Sequence, residues 1–218
     1  NEFNEIRSYI KRMKVYTRTG DVGTSSLYDG KRIAKNTIIF DILGELDELS
    51  CRIGMLCVLV PITGFLEEHK RDDLIKFLRD VQSTIQDINS IIATTDKEGK
   101  TLPEIIEQDV LKIEEWIDFM DVYNPKLTKF ILPGVRQEDS QSQLCRTQTR
   151  RVERYLWELH DTDNKVKVYN KDDEHIDLKP ITIPENVTKY INRLSDFFFV
   201  LSRYLCSVQE TEDCFYNK

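Results

Sequence analysis

Apolar residues recur along most of this chain at alternating steps of three and four. From Ile42 they fall at Leu46, Leu49, Ile53, Leu56 and Val60, a spacing that holds one stripe on one face of a helix. Pro61 and Gly64 predict its end. The rhythm returns at Leu74, Leu78, Val81, Ile85, Ile88 and Ile92, again at Ile106, Val110, Ile113, Ile117 and Met120, and last at Ile191, Leu194, Phe198, Leu201 and Leu205. A fifth, more polar helix is expected from Gln137 to Leu159. One-sided stripes of this kind bury against one another, so the expected fold class is all-α, an antiparallel five-helix bundle forming a single domain over residues 1–218.

Two segments break the rhythm. The N-terminal arm, residues 1–35, is rich in Gly, Ser and Thr and reads as loop or short strand. Residues 160–187 are polar, and there "VKVY" and "IDLKPITI" alternate apolar and polar positions around "NKDDEH", the pattern of an inserted loop or small hairpin.

Composition narrows the function classes. A hydrophobic share of 40% with 32% charged residues supports a buried core, and only 8 Gly and 6 Pro favour long helices over a many-turned sandwich. The net charge of −7 argues against a general nucleic-acid binder, so any anion site must be built locally. Cys51, Cys57, Cys145, Cys206 and Cys214 form no C-x-x-C pair, which indicates no zinc site or disulfide framework and favours a reducing compartment. No apolar run reaches the roughly 18 residues of a membrane span.

The candidate chemistry lies in three stretches. In "VYTRTGDVGTSSLYDG", Val15 to Gly30, glycines at 20 and 23 permit inward-turned amides, the threonines and serines add hydroxyl donors, and Arg18 and the later Lys35 add charge. That composition suits phosphate oxygens and equally a solvated turn. It is no Walker A loop, and "GDVG" matches the G-x-x-G of a KH module only in letters, because the surrounding pattern is helical. In "CRTQTRRVERYLWEL", Arg146, Arg150 and Arg154 lie four apart and share a helix face, with Arg151 and Glu153 beside them. Guanidinium forks match phosphate or carboxylate; the competing reading is a charged face paired with acids such as Glu158. In "YINRLSDFFFVLSRYL", a second face carries Asn192, Asp196, Phe199 and Arg203. Asn192 there is suited to a base or ribose edge, or to capping a helix.

Taken in order, "YTRTGDVGTSSL", Lys35, "GELDELS", "FILPG", "CRTQTRRVER" and "INRLSDFFFVLSRYL" resemble the ATP:cob(I)alamin adenosyltransferases of the propanediol-utilisation type, from Val15 to Leu205. The resemblance implies a ferritin-like five-helix bundle with an N-terminal nucleotide-binding arm, assembled as a homotrimer with sites at subunit interfaces. It implies transfer of the 5′-deoxyadenosyl group of ATP to cob(I)alamin, with Mg²⁺ on the ATP phosphates and no metal held by side chains. By that similarity Thr17, Arg18, Thr19, Gly20, Ser25, Ser26 and Lys35 wrap the triphosphate, and Arg150, Arg151, Glu153, Arg154 and Asn192 complete the nucleotide site. Asp47 matches an acid that pairs across the subunit boundary with the arginine matching Arg146. Phe130 matches the aromatic below the cobalt, and Phe199 lines the same cobalamin pocket. Arg150, Phe130, Asp47 and Arg146 are the residues expected to carry the catalysis.

This chain departs from the family pattern at Val135, where a second glycine is common, at Gln143, where a relative has histidine, and at Ser50 in place of Asn. The connection from Arg154 to Asn192 is also longer than usual. The alternative function is a catalytically silent nucleotide- or corrinoid-binding regulator or chaperone on the same bundle, and a remoter one is a structural bundle that engages partner helices. A reductase and a B12-dependent mutase are the expected protein partners, with no nucleic acid and no membrane. The expected location is the mitochondrial matrix in a eukaryote and the cytoplasm otherwise.

Overall fold

A computed structural model describes residues 16–60, 67–161, 167–169, 175–177 and 181–216. Pro61, Gly64, the first fifteen residues of the arm and the remainder of 160–180 lie outside the described residues. Five helices carry the fold: α1 (Ile38–Leu59), α2 (Glu68–Ile92), α3 (Glu107–Asp121), α4 (Gln137–Asp161) and α5 (Glu185–Ser207). Among the described residues no helix is long and apolar enough to cross a membrane.

The apolar stripes become the core almost without exception. Ile42, Leu46, Leu49, Ile53, Leu56 and Val60 are fully buried, as are Leu78, Ile85, Ile88, Ile92, Ile113, Met120 and the α5 stripe from Ile191 to Leu205. Ile106 is the exception, being 48% exposed. It sits just before α3, where its amide donates to the Asp109 carboxylate (3.0 Å), and its neighbour Ile105 enters the core instead. Phe77 of α2 stacks against Trp116 of α3 and Phe197 of α5, with centroids 5.4 and 5.2 Å apart, so the far side of the bundle closes through aromatic rings.

Polar cross-links set helix order and direction. Gln141 and Gln148 of α4 donate to the carbonyls of Arg52 and Glu45 on α1, an antiparallel register. Ser142 donates to Phe198 O, and Asn192 of α5 donates to Glu153, so α4 and α5 are also antiparallel. Asn186 to Ile105 O, Arg193 to Glu114 and Asn124 to Val200 O climb together, so α3 and α5 run in the same sense.

Strand segments decorate the bundle. In the arm, β1 (Thr24–Ser26) and β2 (Arg32–Ala34) form a hairpin. In the long connection, β4 (Lys167–Tyr169) and β5 (His175–Asp177) form another. Ile33 pairs with Val168, which joins both hairpins in one antiparallel sheet of order β1-β2-β4-β5. A separate two-stranded ribbon pairs β3 (Ile131–Leu132) with β6 (Cys214–Phe215).

The arm is fastened to the bundle as well as joined to it. Leu27 and Ile33 are buried in the core, and the Tyr28 amide donates to Ala93 O at the end of α2 (3.0 Å). The Asp29 carboxylate, with a side chain only 1% exposed, accepts from the amides of Lys31, Thr95 and Asp96 and from the Thr95 hydroxyl. Burial alone raises its pKa, but these hydrogen bonds outweigh burial and leave it below the ordinary value. A carboxylate depressed in the folded state stabilises fully above that ordinary value of 3.8, and the contribution is lost as pH falls through the folded value. Asp29→Ala, which leaves several donors unsatisfied, is expected to cost about 1–3 kcal/mol. Thermal melts should show a gap between wild type and Asp29→Ala that is constant near neutral pH and narrows in acid, and limited proteolysis should cut the variant's arm first.

Candidate functional site

The arm presents hydroxyls and cations around a tight turn. The Thr17 and Thr19 hydroxyls lie 2.9 Å apart, and Arg18 between them has φ 61°, a left-handed conformation uncommon outside glycine. Gly23 has φ 82°, which its missing Cβ permits. A Cβ on Gly20 would come within 3.1 Å of Lys35 Nζ, so glycine at 20 lets the lysine cross the turn. The amides of Asp21 and Gly23 make long turn bonds to Arg18 O (3.4 Å) and Gly20 O (3.3 Å). Thr17, Arg18, Thr19, Ser26 and Lys35 are exposed; Gly20 and Ser25 are half-buried.

Arg32 organises this turn, a role that composition did not reveal. Its Nη2 donates to Thr19 O (2.6 Å), Thr24 O (3.2 Å) and Thr24 Oγ1 (2.8 Å), and its Nη1 donates to Ser26 Oγ (3.2 Å). The guanidinium thus staples both strands of the hairpin to the turn. Its spacing from Ser26 along a hairpin was the only signal available in the sequence.

On α4 the arginines divide by environment. Arg146 is half-buried, and its Nε donates to Gln143 Oε1 (2.7 Å), whose amide in turn donates to the buried Ser202 hydroxyl (2.7 Å). Gln143 is therefore the bridge that locks Arg146 onto α5. Burial, and then the neighbouring Arg150 charge, push the Arg146 guanidinium below its usual value. Arg150 and Arg154 are exposed, and Arg154 donates to Arg150 O (3.2 Å). Among the described residues no acid is ion-paired with Arg18, Lys35, Arg150 or Arg154 within 4.0 Å. Arg151 pairs with Glu45 of α1 (2.9 Å) rather than with Glu158, and Glu45 also accepts from Gln148 (3.0 Å). Glu153 accepts from Asn192 (2.8 Å), so these two polar residues meet across the α4–α5 seam.

Asp47 and Arg146 do not meet within the chain. Asp47 lies exposed on the α2 side of α1, where it accepts from Asn89 (3.1 Å), whereas Arg146 lies on the α5 side of α4. Asp47 heads an exposed α1 row that continues through Cys51, Met55 (52% exposed) and Val58 (58%), an apolar strip left to solvent in the single chain.

Phe130 sits in the loop between α3 and α4 with 84% of its surface exposed, and Phe199 is half-buried on α5. Gly134 turns that loop with φ 113°, and the following Val135 and Arg136 amides reach the Asp139 carboxylate (3.4 and 3.3 Å) at the start of α4. Val135 is thus tied into the helix cap. The arm thus offers hydroxyls and a lysine, α4 offers guanidiniums with no acid partner among the described residues, and the α3–α4 loop offers an exposed phenyl ring: donors suited to a polyanion and a surface suited to an apolar face.

Comparison with known proteins agrees with that chemistry. The chain is 33% identical over 211 residues to the corrinoid adenosyltransferase MMAB of Bos taurus, covering 94% of this chain and 76% of the relative. It is 32% identical over 192 residues to a cobalamin adenosyltransferase of Cupriavidus metallidurans, covering 88% of each. Among solved structures, a variant of the PduO-type ATP:corrinoid adenosyltransferase from Lactobacillus reuteri, complexed with cobalamin and ATP, superposes with a TM-score of 0.76 at 29% identity, covering 94% of this chain and 100% of that one. A second variant of that enzyme, complexed with ATP, gives a TM-score of 0.73 at 28% identity, covering 93% and 100%. The cobalamin adenosyltransferase family model matches residues 15–205, so this chain belongs to that family.

Proposed function

We propose that this chain transfers the 5′-deoxyadenosyl group of ATP to the cobalt of a reduced corrinoid and releases triphosphate. The observation that carries the reading is the unneutralised cation row on α4: burial and then the Arg150 charge lower the Arg146 pKa, and Arg150 and Arg154 have no acid partner among the described residues. A protein of net charge −7 has acids to spare, so a row left unpaired is suited to an external anion. Thr17, Arg18, Thr19, Gly20, Ser25, Ser26 and Lys35 would hold the triphosphate from the arm. Arg150, Arg151, Glu153, Arg154 and Asn192 would complete the nucleotide site from the helices.

The reaction needs no general base. The Co(I) electron pair forms the bond to C5′ as the C5′–O bond breaks, and that bond's electrons leave on triphosphate. Positioning and stabilisation of the developing phosphate charge are what the protein can supply. Arg150 is assigned to that charge, and Mg²⁺ on the phosphate oxygens would share it. Phe130 and Phe199 would face the corrin. A phenyl ring below the cobalt offers no ligand atom, and a four-coordinate Co(II) accepts an electron from an external reductant more readily than a ligated one.

The assembly we infer is a homotrimer with sites between protomers. Asp47 and Arg146 face different sides of one chain and would pair only across a subunit boundary, beside the exposed strip of Cys51, Met55 and Val58. The reaction also calls for a reductase and for a B12-dependent enzyme that takes the product, and in a eukaryotic source the matching compartment is the mitochondrial matrix.

An anaerobic assay following loss of Co(I) absorbance with ATP separates the enzyme from a silent binder. Arg150→Ala should abolish turnover with helicity and melting temperature unchanged, and wild-type turnover would discredit its role. Phe130→Ala should slow the reaction started from Co(II) much more than the reaction started from preformed Co(I). Equal slowing would remove the axial argument.

A further inference from the structure

Phe130 has almost no side-chain packing to locate it, so its position is set through its backbone. That backbone is held by the end of the chain. The Tyr216 amide donates to Phe130 O (2.7 Å), and the next residues, Ile131 and Leu132, pair with Phe215 and Cys214. The tail itself returns from α5 through a turn in which Glu210 has φ 51° and the Thr211 amide donates to Cys206 O (3.0 Å).

One buried ion pair holds both strands of this arrangement. Arg203 of α5 is 5% exposed; its Nε donates to Asp213 Oδ2 (3.0 Å) in the tail and its Nη2 to Pro125 O (2.6 Å) in the Phe130 loop. Ser207 adds a bond to Tyr123 O (2.6 Å), and Gln209 binds Glu138 (2.6 Å), which in turn accepts from Arg136 (2.7 Å) at the far end of the loop. The loop is therefore tied at its start, middle and end to one helix and to the segment that follows it. Arg203 stands one turn after Phe199 on α5, so the helix that carries one corrin-facing ring also anchors the other. All of this strap, residues 208–216, lies beyond residues 15–205 matched by the family model.

We propose that residues 208–216 form a positioning strap for Phe130, with Asp213 and the Tyr216 amide as its working contacts and Arg203 as its anchor. The inference rests on the assignment of Phe130 to the lower face of the corrin. The strap touches no reacting atom. It sets how closely the ring approaches cobalt, and a displacement of about 1 Å in such a group changes rate by on the order of 100-fold.

The test uses full-length protein with ATP, started either from cob(II)alamin and a one-electron reductant or from preformed cob(I)alamin. Tyr216→Pro deletes the amide donor at an exposed position, Tyr216→Ala keeps it, and Asp213→Asn removes the charge that faces Arg203. Tyr216→Pro and Asp213→Asn should slow the Co(II)-started reaction roughly 10- to 100-fold, leave the Co(I)-started reaction within about twofold, and reduce the electron paramagnetic resonance signal of four-coordinate Co(II) with ATP bound. Tyr216→Ala should behave as wild type. With helicity and melting intact, equal slowing from both starting states, or none, overturns the strap. Phe130→Ala run in parallel separates the two claims: its selective loss without loss in Tyr216→Pro and Asp213→Asn sinks the strap alone, and absence of selective loss in Phe130→Ala sinks both.

Discussion

Three guanidiniums one helical turn apart repel, and the fold is arranged so that this repulsion survives folding. Like charges four residues apart cost a few tenths of a kcal/mol, roughly 0.2–0.5 per pair, when exposed. The molecule could have neutralised Arg150 and Arg154 with its many acids; it spends Glu45 on Arg151 instead and Glu153 on Asn192. Those contacts and the bridge from Arg146 through Gln143 to Ser202 fix the roll of α4, so that Arg150 and Arg154 are left exposed as an outward rail. A pre-positioned rail needs little reorganisation as phosphate charge develops, which is the electrostatic advantage of building it on a helix.

The rest of the architecture holds the other candidate groups in place. The arm is an extended segment, yet it is held by a buried aspartate at the end of α2, by Arg32 across its own turn and by strand pairing with the long α4–α5 connection. That connection has a structural consequence: it extends the arm's hairpin into a four-stranded sheet. At the level of Arg52 and Ser202, roughly 20 Å along α1 from its start at ~1.5 Å per residue, the Phe130 loop and the tail are tied to α5. The groups proposed to face phosphate and those proposed to face the corrin are thus spread along the bundle axis, as suits a ligand pair that is itself long.

The bundle was legible because it obeys one period. Every stripe residue but Ile106 is at least partly buried, and Ile106 failed because helix periodicity was extended one residue past the point where the helix begins. What the period could not disclose was pairing between distant segments. Nothing local in "DGKR" marks Asp29 as the acceptor for Thr95 and Asp96, or Arg32 as the staple of the arm. The same holds for Arg203, which reads as one more residue on a polar helix face until the loop and tail close over it and leave it 5% exposed. Charge-bearing motifs were visible as motifs, but which charges remain unpaired depends on partners such as Glu45 and Asn89 that only the folded chain brings near.

The central claim is that the arm and the arginine rail, from adjoining protomers, close on a single triphosphate. A crystal structure of the protein grown with ATP tests it most directly. The account predicts a trimer in which Arg18, Lys35 and the threonine hydroxyls of one protomer share phosphate oxygens with Arg150 and Arg154 of its neighbour. A nucleotide bound elsewhere, with the arm in solvent and the guanidiniums unliganded in every assembly, would contradict it.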